Sequence, residues 1–175
     1  MTYKSIIAIV CFSIILFSCK RDKKDLLVRN WNAVKLDNPQ MEDMVRQQQR
    51  FIDTFGGSTD KASNISLYGT NNLDSLKYVL QSQLDTFKIL QQQALKNTWF
   101  NFKKNGTAIL TFNGATDSTK WYFDDDGALM LDELQSQGSG DKLKMLVVEL
   151  NDTALKLRFT ENNINSIVTF HPEKN

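Results

Sequence analysis

The chain is 175 residues long, 41% hydrophobic and 23% charged, and its 21 Lys and Arg stand against 20 Asp and Glu for a formal charge of +1. That balance excludes the basic surface a nucleic-acid-binding protein or a polybasic membrane patch needs. Two prolines, eight glycines and the lack of any low-complexity stretch leave nothing to divide the chain, so the roughly 150 residues after the N-terminal segment read as one domain able to bury its own core.

Lys4 supplies a minimal positive n-region, and residues 5–17 (SIIAIVCFSIILF) form an apolar run within the roughly 7–15 residues of a signal-peptide core and too short to span a bilayer comfortably. Leu16-Phe17-Ser18-Cys19 follows directly. The pattern resembles the lipobox of bacterial lipoproteins. The resemblance implies that residues 1–18 are a signal peptide and that Cys19 becomes the acylated first residue of the mature protein. An uncleaved anchor and an ordinary signal-peptidase site are the alternatives; the latter needs small residues at −1 and −3, which Phe12, Leu16 and Phe17 around Ser18 do not offer. Cys11 leaves with the signal, so the mature chain keeps one cysteine, occupied by lipid, and has no intramolecular disulfide or cysteine-based metal site. Loss of residues 1–18 removes Lys4 and no acid, leaving 20 basic and 20 acidic residues. The membrane is therefore an expected partner, held through N-terminal acyl chains that contribute about 0.8 kcal/mol per buried methylene. By resemblance to enterobacterial sorting, Lys20 in the place where an Asp favours inner-membrane retention implies the outer membrane. The next residues, Arg-Asp-Lys-Lys-Asp, lack the acidic run of surface-exported lipoproteins of the Bacteroidota. The expected location is the cell envelope, lipid-anchored, with the outer membrane as default.

Residues 19–25 read as a charged tether. Leu26 to Leu36 is an apolar stretch around an isolated Trp31 with partial strand alternation, and Asn38-Pro39 ends it, since Pro starts a helix well. Met41, Met44, Val45, Ile52 and Phe55, with Gln48 bridging the gap, recur at helical spacing, and Gly56-Gly57 stops that helix. Residues 56–72, rich in Ser, Thr, Asn and Gly, read as a loop. A second helix runs from Leu73 to Lys96 with the stripe Leu73, Leu76, Leu80, Leu84, Phe87, Leu90 and Ala94, Asn72 as N-cap and Asp74 in the first turn. The glutamines (Gln47–Gln49, Gln81, Gln83, Gln91–Gln93) fall on the exposed faces. The stripes are too extensive to leave wet, so the two helices are expected to pack on each other and on the sheet, as a lid over one barrel end or a docking surface.

From Trp99 the period becomes alternating, giving strands at 98–103, 107–113, 119–124, 128–133, 143–151, 154–160 and 165–171. Asn105-Gly106 and Asp126-Gly127 predict tight type I′ hairpins, Asn113-Gly114 a slightly longer turn and Asn151-Asp152 a short one. With the Trp31 strand the total is eight, and closing such a meander removes its edges. The predicted fold is mostly β with a helical insertion (α+β): an eight-stranded antiparallel meander barrel with two helices between strands 1 and 2.

The Asn30-Trp31 strand, Phe102-Lys-Lys-Asn-Gly106-Thr107, the Trp121–Phe123 strand, the Asp-Gly turn into Leu129-Met-Leu131, and the Leu146–Leu150/Leu155–Leu157 hairpin together resemble the lipocalin-like domains of Bacteroidota lipoproteins over about residues 26–37 and 98–171. The resemblance implies a lipocalin-like domain over 26–175 that carries the helical stretch 39–97 as an insertion.

Little in the sequence supports enzymatic chemistry. His171, the single histidine, has no local Ser or Cys partner and reads as a strand-end residue. Asp124-Asp125-Asp126-Gly127 lacks the alternating ligands and distant Glu of a calcium loop and reads as a solvated turn. No Walker A loop, dinucleotide fingerprint or zinc-spaced His/Cys set is present. The expectation is a non-enzymatic protein with no cofactor and no metal. Phe100 with Phe102, Leu110 with Phe112, and Trp121 with Phe123 each share a strand face. They either fill the barrel or line a cavity for a small apolar ligand; in the first case the helices would dock an envelope protein partner. Asp74-Ser75-Leu76, Asp117-Ser118-Thr119 and Asp152-Thr153-Ala154 resemble the short O-glycosylation acceptor of Bacteroidota, although Ser75 also suits a helix first turn.

Overall fold

A computed structural model describes residues 22–56, 60–133, 140–161 and 163–173. Residues 1–18, expected as a signal peptide, and Cys19 lie outside the described residues. In chain order the elements are α1 (Lys23–Leu27), β1 (Asn30–Asp37), α2 (Pro39–Thr54), α3 (Lys61–Tyr68), α4 (Leu73–Lys96), β2 (Trp99–Phe102), β3 (Thr107–Phe112), β4 (Ala115–Phe123), β5 (Leu129–Asp132), β6 (Lys142–Leu150), β7 (Leu155–Glu161) and β8 (Ile164–Pro172). The eight strands pair antiparallel in sequence order, and β1 closes on β8 into a barrel with helices inserted between β1 and β2. The predicted meander and the position of the insertion are both present. Among the described residues no helix is long and apolar enough to cross a membrane.

Two segments differ from expectation. Lys23–Asp25, expected in the tether, begin α1, with the Asp22 carboxylate accepting from Lys24 N at 3.1 Å. Within the segment expected as a loop, α3 forms because Asp60 caps it, accepting from Ser63 N at 2.8 Å, and Gly69 at φ 72° ends it. The caps of α2 and α4 fall where the sequence places them: Asn38 accepts from Met41 N at 2.9 Å and Asn72 from Ser75 N at 3.0 Å.

The hairpin turns exchange roles. Asn113 (φ 47°) and Gly114 (φ 85°) are both left-handed between the paired Phe112 and Ala115, so this is the two-residue turn with the geometry of type I′. At Lys103–Gly106, Gly106 N donates to Lys103 O at 3.1 Å, and Gly106 alone has positive φ (76°); Gly127 repeats the arrangement over Asp124 at 2.9 Å and φ 77°. Each is a type I turn closed by a glycine bulge rather than the type I′ turn expected.

Two register shifts set which side chains enter the barrel. In β1 the shift lies between Ala33 and Lys35. Trp31 and Ala33 are buried, yet the next residue to reach the interior is Leu36, while Lys35 stays outside and pairs with Asp37. In β6 the shift lies between Val147 and Glu149: Met145 and Val147 belong to the core, and the next is Leu150, leaving Glu149 to pair outside with Lys156 at 2.6 Å. Strict alternation would drive Lys35 and Glu149 inward. One extra residue in each strand prevents it.

One end of the barrel is packed solid. Leu27 of α1 inserts there among Trp31, Phe102, Leu129 and Leu155, all buried, with Trp121 beside Phe102 at a ring separation of 5.6 Å. Both indoles find backbone acceptors, Trp31 Nε1 on Leu27 O at 2.9 Å and Trp121 Nε1 on Lys103 O at 3.1 Å, which removes the cost of burying their N–H groups.

Candidate ligand cavity

The other end of the barrel, where β1 runs into α2 and α4 runs into β2, is covered by these two helices without being filled. Asn38, the cap of α2, also donates through Nδ2 to the buried Ser166 Oγ of β8 at 3.0 Å. At the C-terminus of α4, Thr98 Oγ1 donates to Ala94 O at 2.8 Å and accepts from Asn113 N at 3.4 Å, while Ala33 N donates to Thr98 O at 3.0 Å. The insertion is thus pinned to the rim at both ends. Across the top, Gln49 Nε2 of α2 donates to Gln81 Oε1 of α4 at 3.0 Å, and Lys88 Nζ donates to Gln49 Oε1 at 3.5 Å. These polar bridges hold the helices side by side while their apolar residues face down.

Beneath them lies a cavity of about 960 Å³, at the upper end of the range for small-molecule sites. Its floor is Phe100 and Phe170, with ring centroids 4.7 Å apart, together with Met145 and Leu157. Phe159 and Val168 form a wall, and Leu36 and Phe112 stand at the rim, 37% and 47% exposed. The roof is Met41 and Val45 from α2 with Ala94 and Leu95 from α4, edged by Gln49, Gln91 and Gln92. Phe112 contacts Phe100 edge-on at 5.1 Å, so floor and rim form one aromatic surface.

Phe100, Phe102, Leu110, Trp121 and Phe123, placed on inward faces by alternation, do converge. They divide by depth: Phe102 and Trp121 belong to the packed end, while Phe100 and Phe112 line the cavity. The α4 stripe departs from its expected course. Leu84 is buried, but Leu90 is 57% exposed, and Lys88, Gln91 and Leu95 occupy the face toward the cavity instead. Gln49 and Gln91, expected on solvent faces, are half-buried at the edge of the roof, while Gln92 beside them stays exposed as expected. The period of a straight helix indicates one face; which face meets a hollow depends on how the helix crosses the rim.

The other singled-out residues lie elsewhere. His171 is exposed on β8, opposite Asn32 of β1. Asp124 and Asp126 converge on Lys144 Nζ, at 2.8 and 3.5 Å, and Asp124 also accepts from Ala128 N at 2.8 Å. These contacts hold the Asp124 carboxyl below the usual carboxylate range, the Lys144 hydrogen bond first among them, and raise the Lys144 ammonium. Asp132 of β5 is fully buried with Lys142 Nζ at 2.9 Å. Ser75 sits in the first turn of α4, Ser118 is exposed on β4, and Thr153 lies in the β6–β7 turn with Oγ1 donating to Asn151 Oδ1 at 2.9 Å.

Fold and cavity together define a small closed β-barrel, sealed at one end by α1 and roofed over a cavity at the other. No protein-family model and no curated protein matches the chain. A crystal structure of a DUF4847 family protein from Bacteroides vulgatus aligns with 87% of this chain and 98% of that one, at a TM-score of 0.41 and 10% sequence identity.

Proposed function

We propose that this protein is a non-enzymatic, envelope-anchored lipoprotein with a lipocalin-like domain that binds a small apolar ligand. The cavity carries the reading. A barrel of eight strands has room for packed side chains or one small ligand, and this one does the first at the α1 end and leaves about 960 Å³ at the other. Apolar surface held open under a pinned roof gains free energy when an apolar molecule displaces its water. Lipidation of Cys19 would place the anchor three residues before Asp22, the cap of α1. The acyl chains would then hold the sealed end to the bilayer and turn the roofed cavity toward the compartment beyond.

A second reading keeps the anchor and assigns the task to the helices, because Ile65, Leu67 and Tyr78 are 56%, 69% and 76% exposed on α3 and α4. A stoichiometric envelope protein captured through that face, with no ligand in the barrel, would favour it. Two experiments test the first reading. Cys19→Ala should release the protein from the membrane fraction or stall it as precursor, and equal fatty-acid labelling of both forms would refute lipidation. Titration with an apolar fluorescent probe should saturate at one site per chain; absence of binding by folded protein would refute the ligand.

A further inference from the structure

The apolar cavity is edged by cations that are unevenly neutralised. Arg46, Arg50 and Lys88 all border it. Arg46 is paired with Asp43, one turn back on α2. Lys88 lies 3.7 Å from Asp85 and 3.5 Å from Gln49 Oε1. Arg50 has no ion-pair partner among the described residues; the nearby Asp53 carboxylate accepts from Gln49 Nε2 at 3.1 Å instead. Glu42, the one acid among the described residues bordering the cavity, sits eight residues before Arg50, about 12 Å away along the helix. The roof is therefore polarised along α2, acidic where it leaves β1 and carrying one uncompensated positive charge at Arg50.

We propose that the ligand is an amphipathic monoanion, a single-chain carboxylate whose hydrocarbon lies over Phe100, Phe170 and Leu157 and whose head group meets Arg50 and Lys88 at the edge of the roof. This rests on the cavity being a ligand site. The hydrocarbon supplies the bulk of the affinity by burial, and the carboxylate sets orientation, since the guanidinium of Arg50, exposed at the border of the cavity, can take a carboxylate bidentately. One uncompensated cation matches one negative charge, which favours a carboxylate over a phosphate monoester.

The test uses the full-length protein in nanodiscs, with empty nanodiscs as blank, and measures equilibrium binding of radiolabelled palmitate, hexadecanol and hexadecyl phosphate. Palmitate should bind about tenfold tighter than hexadecanol. Arg50→Gln, which leaves the Lys88–Gln49 bridge in place, should lose most of that advantage while binding hexadecanol as the wild type does. Equal binding of acid and alcohol by the wild type overturns the anion proposal and leaves the apolar site standing. Tighter binding of hexadecyl phosphate than of palmitate overturns the carboxylate assignment. Loss of hexadecanol binding in Arg50→Gln shows that Arg50 holds the roof rather than a head group, and overturns it too. If neither compound binds protein of native circular dichroism, the ligand site itself falls.

Discussion

The indole Nε1 of Trp31 donates to the backbone carbonyl of Leu27 at 2.9 Å, and both side chains are completely buried. This bond fastens α1 to β1 and makes the helix a plug rather than a leader. Arg29, between them in sequence, lies over the Trp31 ring at 5.4 Å and reaches the Asp152 carbonyl at 3.1 Å, tying the plug to the β6–β7 turn. Leu27→Ala should cost about 2–5 kcal/mol through the cavity it leaves. Trp31→Phe should cost about 1–3 kcal/mol from the lost indole hydrogen bond and lost volume, although Leu27 O keeps its bond from Arg29 N at 2.9 Å. Urea unfolding monitored by circular dichroism measures both; a change under about 0.5 kcal/mol, the scale of ordinary surface substitutions, would show that the plug is not part of the folded unit.

The exchange of turn types has a thermodynamic consequence. Asn113 and Gly114 both carry positive φ, so Asn113→Gly should be tolerated, whereas Gly114→Ala should lose about 1–2 kcal/mol. At the neighbouring Lys103–Gly106 turn the strain falls on Gly106 alone, and Asn105→Ala should be far milder than Gly106→Ala. Equal losses at Asn105 and Gly106 would refute the assigned geometry.

Acid should loosen the β4–β5 hairpin before the rest of the barrel. The folded-state pKa of Asp124 is lowered by the Lys144 hydrogen bond and the Ala128 N–H, so its contribution is complete above the unfolded-state pKa and is lost as pH falls through the lower, folded value. Lys144 is raised by the same pair; its contribution holds below the unfolded-state lysine pKa and is lost in strong alkali. Carboxyl NMR should show Asp124 titrating below ordinary aspartates, and Lys144→Met should move its midpoint up. An unchanged midpoint in that variant would show that the ion pair does not form in solution.

Strand order, barrel closure and the limits of α2 and α4 were legible because each depends on local signals: Gly turns, N-caps and alternation. The bulges in β1 and β6 were legible in hindsight only. The inward residues Trp31, Ala33 and Leu36, like Met145, Val147 and Leu150, step by two and then three, whereas strict alternation from the same starting residues runs on to Lys35 and Glu149, and the choice is made by turning Leu36 and Leu150 inward instead of a charge. The helix α3 was hidden by polar composition, although Asp60 and Gly69 mark its ends. The cavity could not be read at all. Phe100 and Phe102 have the same pattern, and whether a ring meets another side chain or a hollow depends on α1 filling one end of the barrel while α2 and α4 bridge the other.

The most direct measurement of the ligand-binding claim compares the wild type with Val45→Trp, which places an indole in the cavity from the roof while leaving Asn38, Gln49 and the α2 face toward solvent unchanged. Both full-length proteins are purified identically from their own envelope, denatured, and their organic extracts quantified by mass spectrometry. The account predicts a small apolar molecule near one equivalent per wild-type chain and its loss from the variant. Indistinguishable extracts from two equally folded proteins would contradict it.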